Sequence, residues 1–193
     1  MSMPPLPESL QAFVQLLMAK KVMSDEDAQK ALDVSYERFG NAGIDLSAAI
    51  SRVDKTLDCL DMGVRSMKAL GPSGGIYHCL VNKTPDEVAK LHGSKLAEWQ
   101  VSMFKATIEL FGKTDGDQLR LRDLEGLKES HKTVTNEVGR TGMVKSFAEQ
   151  LVEDFWLARP QNSSGYRLGI RTYVELPELL KEADLVVPQI IHH

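Results

Sequence analysis

GVRSMKALGPSGGIYHCLVN, residues 63–82, decides how this chain is read. Two extended runs, GVRSMKAL and IYHCLVN, flank a cluster of glycine, proline and serine, GPSGG (71–75). Such a cluster between extended runs predicts a β-hairpin. Successive side chains of a strand point to opposite faces, so Ile76, His78 and Leu80 share one face and Tyr77, Cys79 and Val81 the other. His78 and Cys79 therefore cannot both reach one metal ion from a regular strand. Cys79 sits with an aromatic and a valine, the setting of a buried structural thiol. On this reading the hairpin is scaffold and not a reactive centre.

Toward the N-terminus the pattern is helical. Leu10, Phe13, Val14 and Leu17 recur at helical spacing, and Leu16 and Met18 broaden the stripe. Ser24 reads as the N-cap of DEDAQKALDVSYERF, with acids in the first turn against the positive end of the helix dipole and a stop near Gly40. LSAAISRVDKTLDCL (46–60) reads as a third helix, with Leu46, Ala49, Ile50, Val53, Leu57 and Leu60 on one side and Cys59 as a small packing residue at its edge. Residues 8–82 thus read helix, helix, helix, hairpin.

The same order follows on the other side. TPDE (84–87) predicts a helix start, with Thr84 as N-cap, Pro85 at the first helical position and Glu87 completing a capping box. That helix is short and ends near Gly93. A long helix over 95–111 buries Leu96, Val101, Phe104, Ile108 and Phe111, with Trp99 and Met103 adjoining. LRDLEGLKES is a short helix. An amphipathic helix over 142–157 carries Met143, Val144, Phe147, Ala148, Leu151, Val152 and Phe155. WLAR, PQNSSG and YRLGIR form a second hairpin, and TYVELPELLKEA a closing helix kinked by its proline.

Three helices followed by a two-stranded wing is the order of a winged-helix domain, a relative of the helix-turn-helix. The predicted fold is mainly α with small β-hairpins (α+β), as two tandem winged-helix domains. Residues 1–83 form the first domain, 84–186 a linker helix plus the second, and 187–193 a C-terminal tail.

Chemistry-bearing motifs do not emerge. The sequence holds no HExxH, GxxxxGK[ST], GxSxG or dinucleotide fingerprint. KTDGDQLRLRDLEGL fails as a calcium loop: counted from Asp115, the sixth position is Arg120 where glycine is needed, and the twelfth is Gly126 where glutamate is needed. His131 stands alone among polar residues, without a partner to orient it as a base. His192 and His193 have no cysteine companions. Two cysteines in 193 residues make no disulfide framework and fit reduced thiols of the cytosol or nucleus. No catalytic, cofactor-binding or metal-binding residue is assigned. No apolar run approaches the ~18 residues of a membrane span.

Net charge is −4, so bulk electrostatics repel nucleic acid, and any contact must come from a local patch. The solvent side of the 142–157 helix offers Lys145, Glu149, Gln150, Glu153 and Asp154, one positive residue against three negative ones, a poor reader of phosphates. The third helix is mixed, with Arg52 and Lys55 against Asp54 and Asp58. The wings are better placed, through Arg65 and Lys68 on one and Arg159, Arg167 and Arg171 in or beside the other, where the alternatives are an ordinary solvated basic edge and weak, sequence-independent auxiliary DNA contact. The apolar excess of the first helix, Leu16, Leu17 and Met18, is the expected protein-binding surface, the alternative being burial in the domain's own core.

FVQLLMAKKVM, IYHCLVN, EWQVSMFKATIELF and FAEQLVEDFWLARPQNSSGYRLGIRTYVELPELLKE resemble, in this order, non-SMC element one, a subunit of the SMC five/six genome-maintenance complex. The likeness runs over residues 8–186, and IYHCLVN and FWLARPQNSSGYRLGIRTYVEL are its most specific segments. The resemblance implies two winged-helix domains followed by a zinc-binding RING-like domain with ubiquitin ligase activity. It implies a MAGE-type partner (non-SMC element three) and a kleisin partner (non-SMC element four). It further implies a nuclear location and a role in DNA repair by homologous recombination. The sequence departs from the family at its end. The cysteine- and histidine-rich domain is expected after the last helix, where ADLVVPQIIHH closes the sequence. The two cysteines lie far upstream, so no ligand of two four-coordinate zinc sites carries over. Zinc and ligase activity are expected of a protein bearing the RING, not of this chain alone. The competing reading is an independent winged-helix DNA-binding regulator, which calls for a basic recognition helix.

Overall fold

The structure is a computed structural model, and it describes residues 5–40, 43–69, 74–84, 86–94, 96–114, 118–130, 142–160 and 163–193. Mixed α and β elements form two compact units, one of Met1–Thr84 with Pro188–His193 and one of Pro85–Val187.

In the first unit, α1 (Glu8–Lys20) buries Leu10, Phe13 and Leu17, the i, i+3, i+7 stripe of an inward face. Lys21, at φ 65°, ends it and turns the chain into a three-residue strand, β1 (Val22–Ser24). Ser24 then caps α2 (Asp25–Phe39), its Oγ accepting from Asp27 N at 3.1 Å. Gly40, at φ 91°, closes that helix in a conformation other residues resist. Asp45 caps α3 (Leu46–Leu57) by accepting from Ala48 N at 2.8 Å. The expected third helix is shorter than its sequence pattern. A 3-10 turn (Asp58–Leu60) and Asp61 at φ 53° redirect the chain, so Leu60 and Cys59 are exposed instead of extending the packed stripe.

The hairpin pairs β2 (Met62–Lys68) with β3 (Ile76–Asn82), in a register that sets Arg65 opposite Cys79 and Ser66 opposite His78. Residues 71–73 of its tip lie outside the described residues. Two strands not anticipated from sequence flank it. β1 pairs with β3 through Met23 and His78, and the C-terminal residues Ile190–His192 pair antiparallel with β2. Helices α1 to α3 and the sheet share a core that includes Phe13, Leu17, Leu32, Ile50, Val53 and Val64.

The second unit begins with α4 (Glu87–Gly93) and α5 (Glu98–Lys113). Glu87 does not complete a capping box at its own helix. Its carboxylate is buried and accepts from Glu178 N at 3.0 Å and Leu179 N at 2.9 Å, more than ninety residues away. Pro85 lies outside the described residues. α6 (Leu121–Ser130) and α7 (Met143–Glu153) follow, with residues 131–141, His131 among them, outside the described set. α7 stops four residues short of the expected 157, because Phe155 adopts φ 61° and starts the turn into β4 (Leu157–Ala158).

β4 pairs with β5 (Arg167–Leu168), and Leu119 bridges Tyr166. The second hairpin is thus shorter than YRLGIR suggested. Gly169 ends it: a Cβ there would lie 2.1 Å from the Phe155 carbonyl oxygen. The expected kinked closing helix is two helices, α8 (Ile170–Glu175) and α9 (Pro177–Glu182), with Pro177 at the start of the second. Trp156 lies fully buried in the core, its ring tilted against Phe104 at 5.7 Å between centroids. The last strand, β6 (Ile190–His192), belongs to the first unit.

Candidate interaction surfaces

At the centre of the first hairpin, β3 is covered on both faces. Cys79 is buried on one, and His78 is buried on the other. His78 is held at both ring nitrogens, with Nδ1 at 2.6 Å from Ser66 Oγ and Nε2 at 3.1 Å from Asp25 Oδ1. Ser66 Oγ also meets His193 Nε2 at 2.7 Å. The order carboxylate, imidazole, hydroxyl is that of a nucleophilic triad, but Ser66 is only 1 % exposed, so no substrate carbonyl can approach it. The chain of bonds instead ties the N-terminus of α2, β3, β2 and His193 together. Burial, first of all, pushes the His193 imidazole below its ordinary value. Among the described residues no three His, Cys, Asp or Glu side chains gather as a metal ion would require. No helix among them is long and apolar enough to cross a membrane.

The apolar excess of α1 divides. Leu17 is fully buried in the core, so it cannot belong to a surface. Leu16 is half-buried and packs against that core, while Met18 is 57 % exposed. Val34 and Phe39 on α2 are exposed as well. Spacing could not separate Leu17 from Met18, because adjacent residues of a broad stripe differ only in which neighbour covers them.

The five basic residues expected at the wings fall into different environments. Lys68 is exposed at the end of β2, and Arg65 and Arg167 are half-buried. Arg171 is committed internally. Its Nε donates to Glu175 at 2.5 Å, Nη2 donates to Ser94 Oγ at 3.3 Å, and the guanidinium lies 4.0 Å over the Trp156 ring. Arg159 is ion-paired with Glu149 and lies 4.9 Å over the Tyr166 ring.

The Glu149 cluster alters the charge reading of α7. Burial alone would raise the Glu149 carboxyl, but hydrogen bonds from Arg159 and Tyr166 and the Arg159 charge outweigh it and hold the group below its ordinary value. Burial, with the neighbouring Glu149, raises the Tyr166 phenol. One of the three acids counted on the solvent side is therefore occupied, by Arg159 ten residues and Tyr166 seventeen residues along the chain. In the first unit, Asp54 and Lys83 play a comparable structural part. Asp54 is buried, accepts from Val64 N at 2.9 Å and pairs with Lys83 at 3.2 Å. Burial alone would lower the Lys83 ammonium, but Asp58 and Asp54 hold it above its ordinary value. Neither cluster shows in sequence periodicity, since the partners come from separate elements.

A family model described as "Nse1 non-SMC component of SMC5-6 complex" matches residues 10–176, across both units. No curated protein matches the chain. A chain of a solved structure described as "Nse1-Nse3-Nse4 complex" is similar in fold, with a TM-score of 0.72. The similarity covers 90 % of this chain and 73 % of that one, at 23 % sequence identity.

Proposed function

We propose a role that follows from one fact: the chain belongs to the Nse1 family, the non-SMC component of the SMC5-6 complex. It acts as an assembly subunit of that complex, in the nucleus, in support of DNA repair and recombination. Both units are winged-helix domains, with boundaries at 83/84 and 186/187. The order of α1, α2, α3 and a hairpin in the first, and of α5, α6, α7 and a hairpin after the linker helix α4 in the second, supports this reading. The partners are a MAGE-type subunit and a kleisin subunit, in the manner of the Nse1-Nse3-Nse4 complex that it resembles. The observation that carries the proposal is the family match over 10–176, which spans both units instead of one.

Partner contact is assigned to the outer side of α1 through Leu16 and Met18. DNA contact is auxiliary, through Arg65, Lys68 and Arg167. Ligase chemistry belongs to a zinc-bearing RING-like domain. Two cysteines and five histidines cannot furnish two four-ligand zinc sites, so these 193 residues do not carry it.

The test is gel filtration with light scattering of this chain mixed with the matching MAGE-type subunit. A one-to-one complex is expected, weakened about tenfold or more by Met18→Asp with the melting temperature unchanged. Failure of the unsubstituted chain to associate would overturn the assembly role.

A further inference from the structure

We propose that the second unit carries a binding cleft for the phosphodiester backbone of nucleic acid, built from Arg120, Arg122, Lys145 and Arg159. The four cations line one open cleft of about 400 Å³ together with Ser164 and Tyr166. They come from separate segments. Arg120 and Arg122 flank the start of α6, Lys145 lies in the first turn of α7, and Arg159 follows β4.

What sets this cleft apart is convergence: four cations from separate segments line one opening. Several other cations are tied to carboxylates, Lys83 between Asp54 and Asp58, Arg171 on Glu175, Lys30 on Glu26 and Lys181 on Glu178. In the cleft, Arg159 meets Glu149, and Arg122 reaches Asp123 only through Nε at 3.6 Å. Asp123 is itself occupied, accepting from Arg120 N at 2.7 Å. The side chains of Arg120 and Lys145 have no ion pair among the described residues. Among the described residues two carboxylates, Glu149 and Asp123, are ion-paired with cations of this cleft, and Lys145 adds its charge to the field at Glu149, so cations outnumber carboxylates here in a chain whose net charge is −4.

Arg159 is also preorganised. Nε and Nη2 donate to Glu149, Nη2 reaches the Tyr166 hydroxyl at 3.3 Å, and the guanidinium rests on the Tyr166 ring. No described residue accepts from its Nη1, which leaves a held donor pair for an oxyanion. The cleft is open and lacks a closed nest of donors, so a single small anion gains little there. A chain of phosphates gains from each cation in turn, through release of its condensed counterions. That favours a nucleic-acid backbone as the occupant. The inference goes beyond the wing contacts above and rests on the second unit alone, whatever the chain assembles with.

The experiment is fluorescence anisotropy of the full chain with a short labelled DNA duplex, titrated between about 50 and 200 mM salt. The triple variant Arg120→Gln, Arg122→Gln, Lys145→Gln is expected to bind at least about tenfold more weakly, with its salt slope reduced by about 2–3. The triple Lys20→Gln, Arg52→Gln, Lys55→Gln removes the same charge from exposed positions of the first unit and is expected to change affinity less than about twofold. Lys145→Gln alone should lower the slope by about 1, which keeps the test decisive if the triple variant folds poorly. Three results would overturn the cleft: no duplex binding by the unsubstituted chain at the lowest salt, equal loss in both triples, or displacement by polyglutamate as efficient as by unlabelled duplex. Inorganic phosphate is expected to compete no better than chloride at equal ionic strength; stronger competition would mean a site for free phosphate and would also overturn it.

Discussion

Arg171 offers the sharpest test of how far a basic residue near a wing can be read as a DNA contact. Its side chain is 15 % exposed and that of Glu175 is 8 % exposed, so the pair is largely withdrawn from water. Removing one member of such a pair leaves the other charged and unpaired, at a cost of about 3–5 kcal/mol. The stack on Trp156 contributes a further ~1–2 kcal/mol when desolvated, although the two effects overlap and are not to be summed. Arg171→Ala should therefore destabilise the second unit by about 3–5 kcal/mol, against the ~5–15 kcal/mol that holds a typical domain together. The double variant Arg171→Met, Glu175→Met removes both charges and keeps apolar stems of similar length. It should recover most of the loss, to within roughly 1–2 kcal/mol of the unsubstituted chain. Urea unfolding followed by tryptophan fluorescence is the assay. Both tryptophans, Trp99 and Trp156, lie in the second unit, so the signal reports that unit alone. A loss below about 1 kcal/mol in Arg171→Ala, accompanied by a fall in duplex affinity, would refute the structural assignment and return Arg171 to the nucleic-acid surface.

Three further outcomes follow from particular contacts. Glu87→Ala strips two backbone N–H groups at the start of α9 of their acceptor, and should cost about 1–3 kcal/mol in the same urea assay, with Glu87→Gln retaining part of it. Gly169→Ala drives a Cβ against the Phe155 carbonyl; a loss of at least about 2 kcal/mol is expected, and a melting temperature within a degree of the unsubstituted chain would contradict it. Glu149 titrates below its ordinary 4.5, so its contribution to stability is complete above that pH and is lost as pH falls through the lowered value. Thermal melts across pH 3–6, roughly the range that brackets a carboxylate, should therefore fall less steeply on the acid side in Glu149→Gln than in the unsubstituted chain.

The assembly role and the phosphate cleft make different demands on the molecule. The first needs apolar surface that the folded unit leaves open, and Met18 supplies it on a helix whose neighbours Leu17 and Phe13 are anchored in the core. The second needs positive charge left over after the fold has satisfied its own carboxylates. A lone cation on an acidic chain gains little, which is why the convergence of Arg120, Arg122, Lys145 and Arg159 on one cleft carries weight. The two surfaces can be tested separately, because substitutions at one lie in a different compact unit from the other.

What the sequence determined by itself was local. The period of apolar residues placed α1, α3, α5 and α7 and named most of their inward side chains, because a helix face repeats every three to four residues whatever packs on it. Ser24 and Gly40 marked the ends of α2, because caps act on backbone groups within one turn. The first hairpin, and with it the buried Cys79, was legible from the alternation around the glycine-rich tip. Only the tertiary structure decided what depends on distant partners. Three residues of β1 and three of β6 carry too little alternation to announce a strand; they are strands because β3 and β2 offer unpaired edges to them. Glu87 looks like the cap of its own helix and caps another, and Arg171 looks like a surface cation and is clamped between Glu175 and Trp156. Spacing along the chain records neighbours within a few residues. Whether a polar group is matched or left over is settled by elements far apart in the chain, as Glu87 and Leu179 are, 92 residues from one another.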